Sequence, residues 1–194
     1  RAQRRGGRGR NAVATKDEDF IDQLWLVNTH DTLLTFTSSG RVFWLSVYQL
    51  PEAGSNARGR PIINWIPLEA GERVQAVLPV REYEHGNVLF ATAKGTVKKT
   101  ALTEFAYRLA RGKIAINLEE GDRLVDVALT DGQRDVMLFA SNGKTVRFGE
   151  ASIRTTGRNT SGVRGIRLRD GEEVVSLIVA ESRGDVGADE EEIL

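Results

Sequence analysis

Cysteine is absent from the sequence, which excludes disulfide staples, thiolate zinc sites and cysteine nucleophiles. The absence fits a reducing cytoplasm without requiring one. No apolar stretch approaches the roughly 18 residues of a membrane helix, and no secretory apolar region follows the basic start. Helical periodicity is nearly absent as well; only "LTEFAYRLA" (102–110) could hold a turn or two. Net charge is zero, which taken alone argues against a nucleic-acid partner. What remains is ordinary for a globular chain: 194 residues, 40% hydrophobic and 28% charged, enough for one domain or two small ones.

The charge is not evenly spread. "QRRGGRGR" (3–10) opens the chain, and the first ten residues hold Arg1, Arg4, Arg5, Arg8 and Arg10 without one acid. Glycine raises the cost of ordering such a run and no apolar face offsets it, so residues 1–18 read as a flexible basic arm. At the other end, 181–194 ("ESRGDVGADEEEIL") is acidic and ill-suited to packing, a disordered insertion or tail.

Between them the sequence repeats. "SSGRVFWLSVYQL" (38–50), "AKGTVKKTALTEF" (93–105) and "SNGKTVRFGEASI" (141–153) each follow an apolar, β-prone run and begin with a glycine-containing hairpin signal. A second set, "LEAGERVQAV", "LEEGDRLVDV" and "LRDGEEVVSL", places Gly71, Gly121 and Gly171 fifty residues apart. Short strands in a repeat of about 50 residues are the signature of radially arrayed β-blades; a β-sandwich with coincidental spacing is the plainer reading. Residues 19–180 are therefore expected to be all-β, with four-stranded blades. Counted from Phe20, the chain holds about three of them plus the opening strand of a fourth, "EEVVSLIVA" (172–180).

Charge keeps phase with the repeat. Residues 40–65, 66–90, 91–113, 114–140, 141–169 and 170–194 sum to +2, −2, +5, −4, +6 and −8. Equivalent positions of successive blades share one edge, so a basic half-repeat builds a positive rim. Arg41, Arg58, Arg60, Lys98, Lys99, Arg111, Lys113, Lys144, Arg147, Arg154, Arg158 and Arg164 populate that band. Such a perimeter suits double-stranded DNA, whose phosphates release counterions when neutralised. It holds many phosphates only if the duplex bends around it.

Catalytic chemistry finds no constellation. His30 and His85 sit in polar turns, far apart in repeat position. "NGKT" (142–145) resembles the end of a phosphate-binding loop, but Leu138 stands where that loop needs glycine and a strand follows. Asn159-Thr160-Ser161 fits a glycosylation acceptor without an export signal, and Arg183-Gly184-Asp185 is a tripeptide that arises by chance. "DEEE" (189–192) lacks the spaced ligands of a cation site.

"QRRGGRG" (Gln3, Arg4, Arg5, Gly6, Gly7, Arg8, Gly9) resembles the seven-residue box of the C-terminal domain family of the DNA gyrase A subunit, with Arg8 where lysine is also common. "DEDFIDQL", "VYQLPEA", "RGRPIINW", "GTVKKTALTEF", "NTSGVRGIRL" and "EEVVSLIV" extend the resemblance over residues 3–180. The resemblance implies a β-pinwheel, a propeller-like ring of typically six blades with strands exchanged between neighbours. It implies that DNA wraps around the basic rim and is presented for strand passage, so that the whole enzyme introduces negative supercoils. The seven box residues would be those on which tight wrapping depends.

It also implies no chemistry in this segment, since nothing at Tyr48, Tyr83 or Tyr107 corresponds to the family's catalytic tyrosine. No cofactor is expected here; ATP and magnesium would belong to the rest of the enzyme. The implied partners are double-stranded DNA, the gyrase B subunit, and the cleavage core of the A subunit. Their place is the bacterial cytoplasm at the nucleoid, with no membrane. Two rival readings stand beside it. The corresponding domain of topoisomerase IV has a degenerate box, against which the intact "QRRGGRG" argues. A protein-binding propeller scaffold would bind DNA weakly and respond little to salt.

Overall fold

The computed structural model describes residues 5–7, 23–54 and 57–182. Eleven strands form three antiparallel sheets among these residues, and the only helical pieces are short 3-10 turns. One of those turns, Leu102–Phe105, is what "LTEFAYRLA" supplies.

Each sheet starts from a hairpin: β1 (Thr32–Thr37) with β2 (Arg41–Ser46), β4 (Asn87–Thr92) with β5 (Thr96–Ala101), and β8 (Arg134–Ala140) with β9 (Thr145–Gly149). Gly40, Gly95 and Gly143 close these turns at φ of 80°, 87° and 86°, a conformation that residues with a Cβ rarely adopt. A third strand then returns alongside the first: β3 (Val74–Val80) on β1, β7 (Leu124–Thr130) on β4, and β11 (Val174–Glu181) on β8. These three returning strands pack in sequence, β3 by β7 and β7 by β11, and so form the inner ends of the sheets. The pairing of each shifts register near its start, at Phe36/Thr37, Ala91/Thr92 and Val174/Ser176, a bulge that recurs with the repeat.

The fourth strand comes from the next repeat. β6 (Lys113–Ile114) pairs with β2, giving the order β3-β1-β2-β6; β10 (Val163–Arg164) pairs with β5, giving β10-β5-β4-β7. The third sheet, β11-β8-β9, has three strands among the described residues. The expectation that "EEVVSLIVA" opens a fourth blade is thereby corrected, because β11 closes the third. An alternating apolar pattern marks a strand but not its neighbour, and the neighbour here is the strand before the hairpin turn.

The cores lie between the sheets. Leu34, Phe36, Val42, Val88, Phe90, Phe105 and Ile116 fill the space between the first two, with Phe36 meeting Phe90 and Phe105 edge-on at 5.5 and 5.9 Å. Leu89, Val97, Val136, Leu138, Ile153 and Ile166 fill the next. Strands packed on both faces read as continuous apolar runs, which is why "TLLTFT" and "NVLFAT" lack clean alternation. Each fully buried Phe or Leu contributes about 1.5–3 kcal/mol.

Candidate nucleic-acid interface

The exchanged straps place cations on the outer edge. Lys113 and Arg164 lie on the outermost strands β6 and β10, and Arg111 stands two residues before Lys113. The carboxylates Glu69, Glu72, Glu119, Asp122, Glu172 and Glu173 occupy the turns that lead into the inner strands β3, β7 and β11. The alternation of sign along the chain thus sets strap cations on the outermost strands and these carboxylates at the inner turns, where Arg73 and Arg123 also stand.

Of the cations expected on the rim, Arg58, Arg60, Arg111, Arg154 and Arg164 are exposed, and their side chains make no hydrogen bond or ion pair among the described residues. Lys144 is half-buried, and its charge acts on Glu172, whose carboxyl is held low chiefly by the Arg169 backbone N–H. Others are partly committed. Arg41 bridges Glu72 at 3.2 Å and Glu69 at 3.4 Å, and donates to the Arg111 carbonyl. Arg147 pairs with Asp135 at 2.8 Å. Arg158 donates to the Ile114 carbonyl at 3.1 Å and lies 3.8 Å from Glu104. The Lys113 ammonium donates to the Tyr107 carbonyl and sits over the Tyr107 and Trp44 rings at 4.7 and 5.7 Å.

Lys98 and Lys99 are a correction: both are buried and neither side chain reaches the rim. The Lys98 ammonium donates to the Ala115 and Arg158 carbonyls at 2.6 and 2.5 Å, tying β5 to the straps of the second and third repeats. Burial pushes its pKa down to about 8, helped by Arg158 and opposed by Glu104. Lys113 is shifted downward by the same causes. Lys99 donates to the Glu150 carbonyl at 2.8 Å, while the buried Glu150 carboxylate accepts from Thr130 and the Arg134 N–H. These lysines fasten neighbouring sheets together.

Grouping by charge misses Arg108. It reaches back to Ser46 and Thr32 of the first sheet at 2.8 and 2.5 Å, and the fifty-residue register that links it to Arg58 and Arg158 is the signal that identifies it. Arg73 and Arg167 are exposed cations outside the expected set. Of the arm, Arg5, Gly6 and Gly7 are described and exposed; Gln3, Arg4, Arg8 and Gly9 lie outside the described residues, as does the acidic run from 183.

Among the described residues no group of His, Asp and Glu is arranged to hold a metal, and no helix is long and apolar enough to cross a membrane. The inner ends of the sheets surround a shallow cavity lined by Arg73, Gln75, Arg123, Val125 and Val175, without a histidine or a hydroxyl. His30 and His85 are both exposed turn residues.

Comparison with known proteins gives the same organisation. The family described as "DNA gyrase C-terminal domain, beta-propeller" matches residues 1–24, 31–81, 86–131 and 134–181; the last three segments are three sequence repeats, of which the second lends β6 to the first sheet and the third lends β10 to the second. The DNA gyrase A subunit of Salmonella typhimurium is 58% identical over 95% of this chain and 21% of its own length, and that of Escherichia coli K12 is 59% identical over 95% and 21%. The chain thus spans about a fifth of these relatives. A crystal structure of the C-terminal domain of DNA topoisomerase IV superposes with a TM-score of 0.79 at 34% identity, covering 88% of this chain and 54% of that one. A DNA gyrase A C-terminal domain superposes at 0.65 and 23% identity, covering 79% and 49%, and supports the fold. With strand exchange, repeat and box in one chain, the protein belongs to the DNA gyrase C-terminal domain family.

Proposed function

We propose that this chain binds double-stranded DNA along its outer edge and bends it there, presenting a segment for strand passage by the rest of a gyrase. The carrying observation is that Arg111, Arg154 and Arg164 are exposed and without a partner among the described residues, Arg164 on an outermost strand and Arg111 just before another. A curved row of unpaired cations holds phosphates in succession only when the duplex follows the curve. The segment supplies no bond-making chemistry; ATP, magnesium and the cleavage tyrosine belong to the remaining parts of the A and B subunits. Work on DNA at the nucleoid in the cytoplasm follows from that assignment. Identity of 58–59% to the gyrase relatives, against 34% to the topoisomerase IV domain, favours gyrase between the two paralogues.

The arm is the second clamp on the path. Its arginines hold phosphates where the duplex enters or leaves the rim, and release of one clamp lets the stored bending energy straighten the DNA. The test is topological: nicked circles are closed by ligase with the chain bound, and the linking number is counted. The wild-type chain should shift it. Arg4→Ala, Arg5→Ala and Arg8→Ala together should remove the shift while moderate binding persists. An unchanged linking number with the wild-type chain would end the wrapping proposal; a shift that survives the triple substitution would make the arm a solvated tail.

A further inference from the structure

The second and third straps turn cations toward one gap. Residues directly opposite across a strand pair share a face of the sheet, and successive residues of a strand face opposite ways. Lys113 pairs with Val42, and Val42 belongs to the core between the first and second sheets, as does Ala115 two residues further along the strap. Arg164 pairs with Thr96, two residues from Lys98, whose ammonium lies 5.4 Å from the centre of the Phe90 ring in that same core. Lys113 on the first sheet and Arg164 on the second therefore stand on the two faces that look at each other. Ile114 and Val163, the other residues of these two-residue strands, face away from the gap.

The third repeat crosses the outer mouth of this gap. Arg158 reaches from the loop before β10 to the Ile114 carbonyl of β6 at 3.1 Å, and its own carbonyl accepts from Lys98 at 2.5 Å. Beside it the Asn117 N–H donates to the Thr160 carbonyl at 3.0 Å. Charge at the mouth is unbalanced. Burial and then Arg158 lower the pKa of both Lys98 and Lys113, and Glu104 is the carboxylate that opposes them. Glu104 lies 3.8 Å from Arg158 Nε, too far for a hydrogen bond, and that nitrogen has no acceptor among the described residues. The Lys113 ammonium has three donors and uses one on the Tyr107 carbonyl at 2.7 Å. The side chains of Arg158 and Glu104 are 22% and 48% exposed, so the mouth opens to solvent.

We propose that one backbone phosphate of the duplex seats at this mouth between Lys113 and Arg158, with Arg164 on the facing wall, and so ties the second repeat to the third. The inference rests on the DNA-binding reading above. It adds a contact shared by two repeats to a row of cations that each hold their own phosphate. The phosphate oxygens accept charge-assisted bonds from the lysine and the arginine and offset the repulsion between them. Glu104 is the competitor, because it offers Arg158 the same charge from inside the protein.

The test uses a duplex of about 12 base pairs, roughly 40 Å at 3.4 Å per step, too short to follow the whole edge. Glu104→Gln should tighten its binding about threefold, and the gain should vanish when Arg158→Gln is also present. Lys113→Gln and Arg158→Gln should each weaken binding about fivefold, and the two together by far less than the product of about 25-fold, because they lose the same phosphate. Hydrogen exchange supplies a readout that survives a change in stability. The duplex should slow exchange of the Asn117 amide about tenfold in the wild-type chain, and saturating duplex should not slow it in Arg158→Gln. Inorganic phosphate at equal ionic strength should leave that amide unprotected; equal protection by it would assign the seat to a free anion and overturn the proposal. Unchanged affinity in Glu104→Gln would overturn it too, as would losses that multiply or an Asn117 amide indifferent to DNA. A wild-type chain that does not bind the duplex would overturn the DNA-binding reading and this inference together. A shared contact without a linking-number shift on closed circles would overturn wrapping alone.

Discussion

The strands that follow the hairpin turn in the first two sheets do one job with opposite chemistry. At matching positions β2 carries Phe43 and Trp44, and β5 carries Lys98 and Lys99. The Trp44 indole N–H donates to the Phe105 carbonyl at 2.9 Å, and the Lys99 ammonium donates to the Glu150 carbonyl at 2.8 Å, each reaching the 3-10 turn of the following repeat. Phe43 lies against Gly112 as Lys98 lies against Gly162. What the joint requires is a long side chain that fills the seam and donors for stranded carbonyls; an aromatic pair and a lysine pair both meet it. Positive charge in a strand therefore carries two meanings. A cation on β5 is a structural donor, whereas Arg111 and Arg164 on the straps are exposed and without a partner among the described residues, the state that the proposed function requires of a phosphate contact.

Substitution at Lys98 should break the comparison most sharply. Lys98→Ala leaves the Ala115 and Arg158 carbonyls without their donor and opens a cavity, at a cost of about 3 kcal/mol. In a chain of this size, roughly 6–12 °C should be lost in thermal melting. A melting temperature within a degree or two of wild type would return Lys98 to the surface.

The pH dependence of stability comes next. The folded pKa of Lys98, about 8, lies below its ordinary value of 10.5, so the folded state releases this proton before the unfolded state does. Stability should therefore gain a contribution that grows as pH rises from about 8 toward the ordinary lysine range. Arg158 and Glu104 are the charged groups that act on the Lys98 ammonium, the first lowering its pKa and the second raising it. The gain is read as the wild-type curve minus that of Lys98→Met; parallel curves would contradict it.

A smaller effect is expected in the first sheet. Trp44→Phe keeps an aromatic ring in the seam but removes one hydrogen bond, costing about 1 kcal/mol in denaturant unfolding with DNA affinity unchanged. A loss of affinity equal to that of a strap arginine would mean that the seam and the DNA contact are not separate.

The least effect on stability belongs to the straps. Arg111→Ala, Arg154→Ala and Arg164→Ala should each change stability by less than about 0.5 kcal/mol. Each that holds one phosphate should lower the slope of log affinity against log salt by about 0.9. Slopes that do not move would disperse the rim.

The blades are legible in the sequence because each carries its own marks, a positive-φ glycine at the hairpin and an apolar run on either side. The box and the strap sequences make the family legible as well. Strand ownership is not: Lys113–Ile114 and Val163–Arg164 are two-residue strands whose partners lie in the preceding repeat, and no local pattern names a distant partner. The fate of Lys98 and Lys99 is hidden for a related reason. In "TVKKTA" they break an apolar alternation and look like surface residues, and only the straps that cross above them make them interior.

Strand exchange also sets a clock during synthesis. β2 has its inner partner β1 at once, but its outer edge waits for Lys113–Ile114, encoded a full repeat later. At about 5–20 residues per second the ribosome leaves that edge open for several seconds, and β5 waits in turn for Val163–Arg164. An open edge invites pairing with any nascent chain nearby, and lysine is the residue that best discourages it. Lys98 and Lys99 are buried donors in the finished protein; on the growing chain, before the third repeat emerges, they are charges standing guard on an unpaired strand.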